Sequence, residues 1–135
     1  RHDPSRLITL NNPDVISYRL VRGRWIFEGK WEGVSDLGIN AVNEDTAGNF
    51  WFGTSSKGII RVLRNPDNIT KPKEVKYYTT QDGLPSIQRC NVLTYRDDLV
   101  FGTEGGLYSY NPRSDRFEPW TVLGKQFCDG SRSVI

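Results

Sequence analysis

The side chains able to do chemistry in this sequence are few and poorly placed for it. The one histidine, His2, stands beside the first residue, where nothing would fix it at the short distance that acid–base catalysis needs. Carboxylates sit side by side in Glu44-Asp45 and Asp97-Asp98. Neighbours on an extended chain point to opposite sides, so neither pair flanks one bond; both read as turn formers and solvated charge. Cys90 and Cys128 do not cluster with that histidine as metal ligands. A disulfide in an oxidising compartment and two separate buried thiols both remain open. The segment RDDL (96–99) does not match a calcium loop. Thr103-Glu104-Gly105-Gly106 lacks the helix that a phosphate loop requires. Asn68-Ile69-Thr70 fits a glycosylation sequon, which carries meaning only in a host that uses it. The expectation is a protein that is not an enzyme, with no catalytic residue, no metal and no cofactor.

The totals narrow the class. With 135 residues, 36% hydrophobic and 25% charged, the chain can bury a core and is neither disordered nor membrane-spanning in composition. A net charge of +2, with the arginines and lysines scattered, argues against nucleic acid as a partner and gives no reason for direct membrane contact. The chain opens on Arg1 and contains no methionine, so it is expected to be a processed or excised piece; removal of a secretory signal is one route to such a start.

The elements that must position any site are strands. Helical periodicity is almost absent. Short runs rich in Val, Ile, Tyr, Phe and Trp, among them VISYRLV (15–21), NFWFGT (49–54), GIIRVL (58–63) and LVFGT (99–103), are bounded by Gly, Asn, Asp and Pro. Their turn chemistry repeats. The triplet F-G-T recurs at a spacing of 49, the glycine opening the next strand (Gly58, Gly106) at 48, and Asp-Gly (82–83, 129–130) at 47. About four strands in a period near 48 describe a four-stranded antiparallel β-propeller blade. INAV (39–42) and CNVL (90–93) would be innermost strands, and VKYYTT (75–80) a solvent-facing outer strand. Asp45 would bond the backbone of its turn while Gly48 takes a positive φ. Phe50 and Phe52 would alternate with Trp51, giving the second strand aromatic bulk on both faces.

The stretch E-D-x-x-G-N-x-W-x-G-T-x-x-x-G-I, Glu44 to Ile59 here, closely resembles the two-component regulator propeller repeat. QDGLPSIQRCNVLTYRDDLVFGTEGGLYSYNPRSDRFEP (81–119) stands as a second copy, departing from the pattern in its shorter turn YRDDL and in Val100 where the repeat has tryptophan. The resemblance covers residues 39 to 120 and fades over the first 38 and in CDGSRSVI (128–135). It implies a periplasmic or extracellular sensor region of a bacterial hybrid two-component system, reading an oligosaccharide or another small polar ligand. The kinase and receiver of such a regulator are not in this sequence.

Blade boundaries follow from the repeat. Residues 1–38 are expected to be outer strands of a preceding blade, 39–80 and 81–122 two blades, and 123–135 the start of the next. At 135 residues the chain holds about 2.8 periods, fewer than the roughly four to eight blades that close a ring. It is therefore a piece of a longer propeller, a unit whose copies complete a ring, or a different β fold. Loops at one rim collect Lys57, Arg89, Asn91 and Glu104 as candidate ligand contacts, with Trp120 or Tyr78 as a stacking surface. A self-assembling scaffold or lectin-like binder without a signalling partner is the other functional reading.

Overall fold

A computed structural model describes residues 5–11, 14–34, 36–96 and 98–120. The strands are β1 (Arg6–Asn11), β2 (Asp14–Val21), β3 (Arg24–Lys30), β4 (Ile39–Glu44), β5 (Phe50–Thr54), β6 (Ile59–Leu63), β7 (Glu74–Tyr78), β8 (Asn91–Tyr95), β9 (Asp98–Thr103), β10 (Gly106–Asn111) and β11 (Arg116–Pro119). A short 3₁₀ turn, Thr80–Asp82, lies between β7 and β8. No helix among the described residues is long and apolar enough to cross a membrane. The strands form three antiparallel meanders: a first sheet β1-β2-β3, a middle sheet β4-β5-β6-β7 and a third sheet β8-β9-β10-β11. No closed ring is formed among the described residues.

The middle sheet is covered on both sides. Because side chains alternate across a strand, Phe50 and Phe52 face one way and Trp51 the other. The two phenylalanines, with Ile60 and Val62, pack against Val15, Trp31, Val34 and Leu37 of the first sheet and its crossing segment. Trp51, Ile59 and Tyr78 pack instead on Val92, Phe101, Tyr108 and Phe117 of the third sheet. All five residues of β5 are buried, as expected for the central strand of the central layer. The aromatic alternation read from NFWFGT is what joins three sheets into one body.

The repeated F-G-T triplet has a local cause. Thr54 Oγ1 donates to the Gly58 carbonyl (2.7 Å) and accepts from the Lys57 amide (2.9 Å), closing the β5–β6 turn. Thr103 Oγ1 does the same between β9 and β10, donating to the Gly106 carbonyl (2.9 Å) and accepting from the Gly105 amide (3.1 Å). Both hydroxyls are fully buried, so an unmade bond there would cost a desolvated polar group. The glycine before Thr54 makes room for the next sheet. A Cβ on Gly53 would meet the Cys90 carbonyl oxygen at 2.5 Å and the Asn91 Cα at 2.7 Å. Gly58, at φ +75, has the Tyr78 carbonyl oxygen 2.1 Å from where its Cβ would lie. At the other end of β5, Asp45 Oδ1 accepts from the amides of Ala47 (3.0 Å) and Asn49 (2.9 Å), and Gly48 takes φ +84, as expected. Asp82 and Gly83 form the expected crossing turn, with Asp82 Oδ2 accepting from the Thr79 amide at 2.9 Å.

Two expectations change. β7 is the edge of the middle sheet, but Lys76 on it reaches across to Asp115 of the third sheet, because β7 overhangs the β10–β11 turn. Tyr78, expected as an exposed stacking surface, has no accessible surface. Cys90 is a free buried thiol donating to the Ser86 carbonyl; burial, with the Glu104 charge nearby, pushes it up to about 11. Cys128, His2 and Asp97 lie outside the described residues.

Gly53→Ala is expected to destabilise the protein by about 2–3 kcal/mol through backbone displacement. Thr103→Val should cost about 1–2 kcal/mol through its orphaned turn partners. Urea unfolding midpoints check both, and equal, negligible shifts would contradict this account of the repeat.

Candidate functional site

Between the β4–β5 turn and the third sheet lies an open cleft of about 560 Å³. The turn contributes Asp45 and Ala47, the middle sheet Trp51 and Arg61, and the third sheet Asp98, Ser109 and Tyr110, with Trp120 beyond its last strand. Each is set by the sheet geometry. Trp51 pairs with Arg61 across β5 and β6, so their side chains stand together on the face toward the third sheet. Tyr110 comes from the opposing face and completes the group.

The centre of this group is the Arg61 guanidinium. Its carbon lies 5.4 Å from the Trp51 ring centre, 5.5 Å from Tyr110 and 5.7 Å from Tyr78, all within cation–π range. Arg61 Nη1 donates to the Tyr110 hydroxyl at 3.0 Å, while its buried Nε has no partner. Trp51 is fixed from the other side, its Nε1 donating to Asp45 Oδ2 at 3.0 Å. Asp45 thus uses one oxygen to shape its turn and the other to orient the indole.

Behind Arg61 the phenols converge on one carboxylate. Tyr110 and Tyr78 hydroxyls donate to Asp115 Oδ1 at 2.6 and 2.7 Å, and Lys76 Nζ donates to Oδ2. The Lys76 hydrogen bond, with those of Tyr110 and Tyr78, holds the Asp115 carboxyl well below the usual range. The same bond to Asp115 raises Lys76. Burial first, then the Asp115 bond, pushes the Tyr78 phenol far up. The carboxylate therefore stays ionised and the Tyr78 phenol neutral across ordinary pH. These groups hold one another around the Arg61 guanidinium. Among the described residues, no group of three His, Cys, Asp or Glu side chains could hold a metal ion.

The sequence-derived contacts divide. Lys57 is exposed on the β5–β6 turn, its Nζ directed at the Asp36 carbonyl at 3.5 Å. Arg89 is exposed at φ +51, and its amide donates to the Ser55 carbonyl at 2.8 Å, which brings its segment beside that of Lys57. Asn91 opens β8, with its Oδ1 accepting from the Val92 amide at 2.8 Å. Glu104 is exposed on the β9–β10 turn and acts on Cys90. These four occupy the F-G-T end of the strands and do not line the cleft. Trp120 does, packing edge-to-face on Tyr95 at 5.2 Å. Sequence reasoning missed Arg61, Tyr110 and Asp115. The available signal was a charged residue in the middle of the apolar run GIIRVL.

No family model matches the chain, and no curated protein matches it.

Asp115→Asn tests the network through pH. A lowered native pKa contributes stability that is present above the unfolded value and is lost as pH falls toward the native one. The wild type should lose stability from about pH 5 down to about pH 2. Asp115→Asn should be weaker than wild type near neutrality and show a smaller acid-dependent loss, read from urea midpoints at each pH. Parallel pH curves for the two proteins would contradict the assignment.

Proposed function

We propose that this chain is a non-catalytic ligand-binding segment of a β-propeller sensor. Its sheets serve as blades of the two-component regulator kind that Glu44 to Ile59 resembles, in a periplasmic or extracellular setting. The ligand is a small polar molecule, best an oligosaccharide, held in the cleft beside Trp51, Tyr110 and Trp120.

The observation that supports this reading is the composition of the cleft wall. At the edge of the buried Trp51, the Trp120 indole and the Tyr110 phenol offer apolar surface, while Asp98, Ser109 and the Arg61 guanidinium offer hydrogen bonds around it. A sugar ring presents the complementary pattern, an apolar C–H face edged by hydroxyls. A few fixed polar groups among aromatic surface are the usual makeup of a small-molecule site. The groups are held before any ligand arrives, since Trp51 is bonded to Asp45 and Arg61 to Tyr110, so little ordering is left for binding to oppose. A change at the cleft would be felt in both sheets that form it, which suits a sensor.

Calorimetric titration of the whole chain with a panel of oligosaccharides tests the proposal. At least one glycan is expected to bind, with Trp120→Ala weakening it by about tenfold or more, as loss of an aromatic contact implies. Arg89→Ala, at the far end of the strands, should leave it unchanged. Binding that follows Arg89 and ignores Trp120 would move the site to the F-G-T rim. Hydrolysis of any glycan in the panel would end the non-catalytic reading.

A further inference from the structure

The β2–β3 hairpin is apolar on both of its faces where it stands clear of the rest of the chain. β2 and β3 have 8 and 7 residues, where β6 and β7 of the middle sheet have 5 each. The end of β3 meets the middle sheet at the β6–β7 connection: a Cβ on Gly29 would lie 3.4 Å from Thr70 Cγ2, and the Glu32 amide donates to the Thr70 carbonyl at 2.8 Å. Before that point, residues 19–27 are exposed without exception. Leu20, Trp25 and Phe27 share one face, by the pairings Tyr18 with Phe27 and Leu20 with Trp25. Val21 and Ile26 fall on the other, the face on which Val15 is buried. Trp25, Ile26 and Phe27 are 47, 49 and 59% exposed, three apolar side chains in a row that a strand in water has no reason to keep. The matching connections of the other two sheets, 64–73 and 112–115, carry no exposed Leu, Ile, Val or aromatic side chain.

Two bare faces and the local charge together specify the occupant. Another sheet or a protein surface covers one face of a hairpin, whereas a lipid interface surrounds both. Residues 18–27, YRLVRGRWIF, hold three arginines and no acid. The ion pairs of this sheet, Arg6 with Glu28 and Lys30 with Asp14, use none of the three. The chain's net charge of +2 is small, but the hairpin gathers its positive charge beside apolar side chains. That pairing suits an anionic bilayer, where arginine meets lipid phosphate and indole settles at headgroup depth. Nucleic-acid bases would want flat stacking surface, and Leu20, Val21 and Ile26 offer none. Acyl chains accept them as readily as they accept Trp25 and Phe27.

We infer that the β2–β3 hairpin seats this protein on the surface of an anionic lipid bilayer. The Arg22-Gly23 turn, at φ +51 and +79, enters first; Leu20, Val21, Trp25, Ile26 and Phe27 reach the top of the acyl layer; and Arg19, Arg22 and Arg24 stay at the phosphates. The apolar stretch of each strand is too short to span a bilayer, so the hairpin lies in the interface. The cleft aromatics take no part, and failure of this inference would leave the ligand reading standing.

Flotation of the whole chain with phosphatidylcholine vesicles, with and without phosphatidylglycerol, tests it. The chain should float with the anionic vesicles, less with the zwitterionic ones, and less again as salt is added. Arg22→Gln/Arg24→Gln should weaken binding by about tenfold or more. Ile26→Ser and Phe27→Ser, one on each face, should each weaken it by roughly tenfold, with circular dichroism retained because both side chains are exposed. Brominated acyl chains should quench the wild-type emission by an increment that is missing in Trp25→Phe. Absence from the anionic vesicles overturns the inference, whether or not the chain then self-associates or binds a single-stranded oligonucleotide. So does binding that depends on Phe27 and ignores Ile26, which would mean a surface docked from one side, or binding that ignores both, which would be adsorption by charge alone.

Discussion

The structure depends on one close approach. Between the middle and third sheets, the Cys90 carbonyl and Asn91 Cα lie where a side chain at residue 53 would begin. The Cys90 amide donates to the Thr54 carbonyl at 2.9 Å, and the Arg89 amide to the Ser55 carbonyl at 2.8 Å. A methyl group here would push one backbone off another, and backbone has no rotamer in which to yield. Everything between these sheets follows from that spacing. β8 lies against β4, close enough for Asn43 Nδ2 to donate to the Val92 carbonyl at 3.1 Å. The aromatic layer of Trp51, Tyr78, Phe101 and Phe117 meets in ring contacts of 4.9 to 6.2 Å.

With the sheets fixed at one end, the other end carries the polar work. Arg61 would be costly among aromatic rings if it were unpaired. It is held by three ring faces and one phenol, and the phenols hand their protons toward a carboxylate that Lys76 neutralises. Removing one partner would leave a charge facing low-dielectric surroundings. That network is therefore a condition for the two sheets to pack, and the cleft opens from its solvent side. The residues that line the cleft and those that join the sheets overlap, Trp51, Phe101 and Tyr110 among them.

The chemistry of turns was readable in the sequence because it is local. Asp45 with Gly48, Asp82 with Gly83 and Thr54 with Gly58 each act within a few positions. The alternation of Phe50, Trp51 and Phe52 was readable for the same reason, since a strand shows its two faces in order. The cleft was not. Arg61 and Tyr110 are 49 residues apart, and only the stacking of two sheets brings them together. Lys57, Arg89, Asn91 and Glu104 stand at the F-G-T end of the strands, away from the cleft. Nothing in their spacing revealed that the aromatic wall stands elsewhere. Tyr78 was misplaced because a tyrosine in an edge strand looks exposed until the neighbouring sheet covers it.

The central claim is that a polar ligand sits against Trp51 and Trp120, and indole resonances report on it directly. In a nitrogen–proton correlation spectrum, the Trp51 Nε1 proton is marked by its bond to Asp45, and Asp45→Asn identifies it. Titration with the best-binding oligosaccharide should move the Trp51 and Trp120 indole signals together and leave Trp25 in place. Movement of Trp25 alone, or of no indole at saturation, would contradict the account.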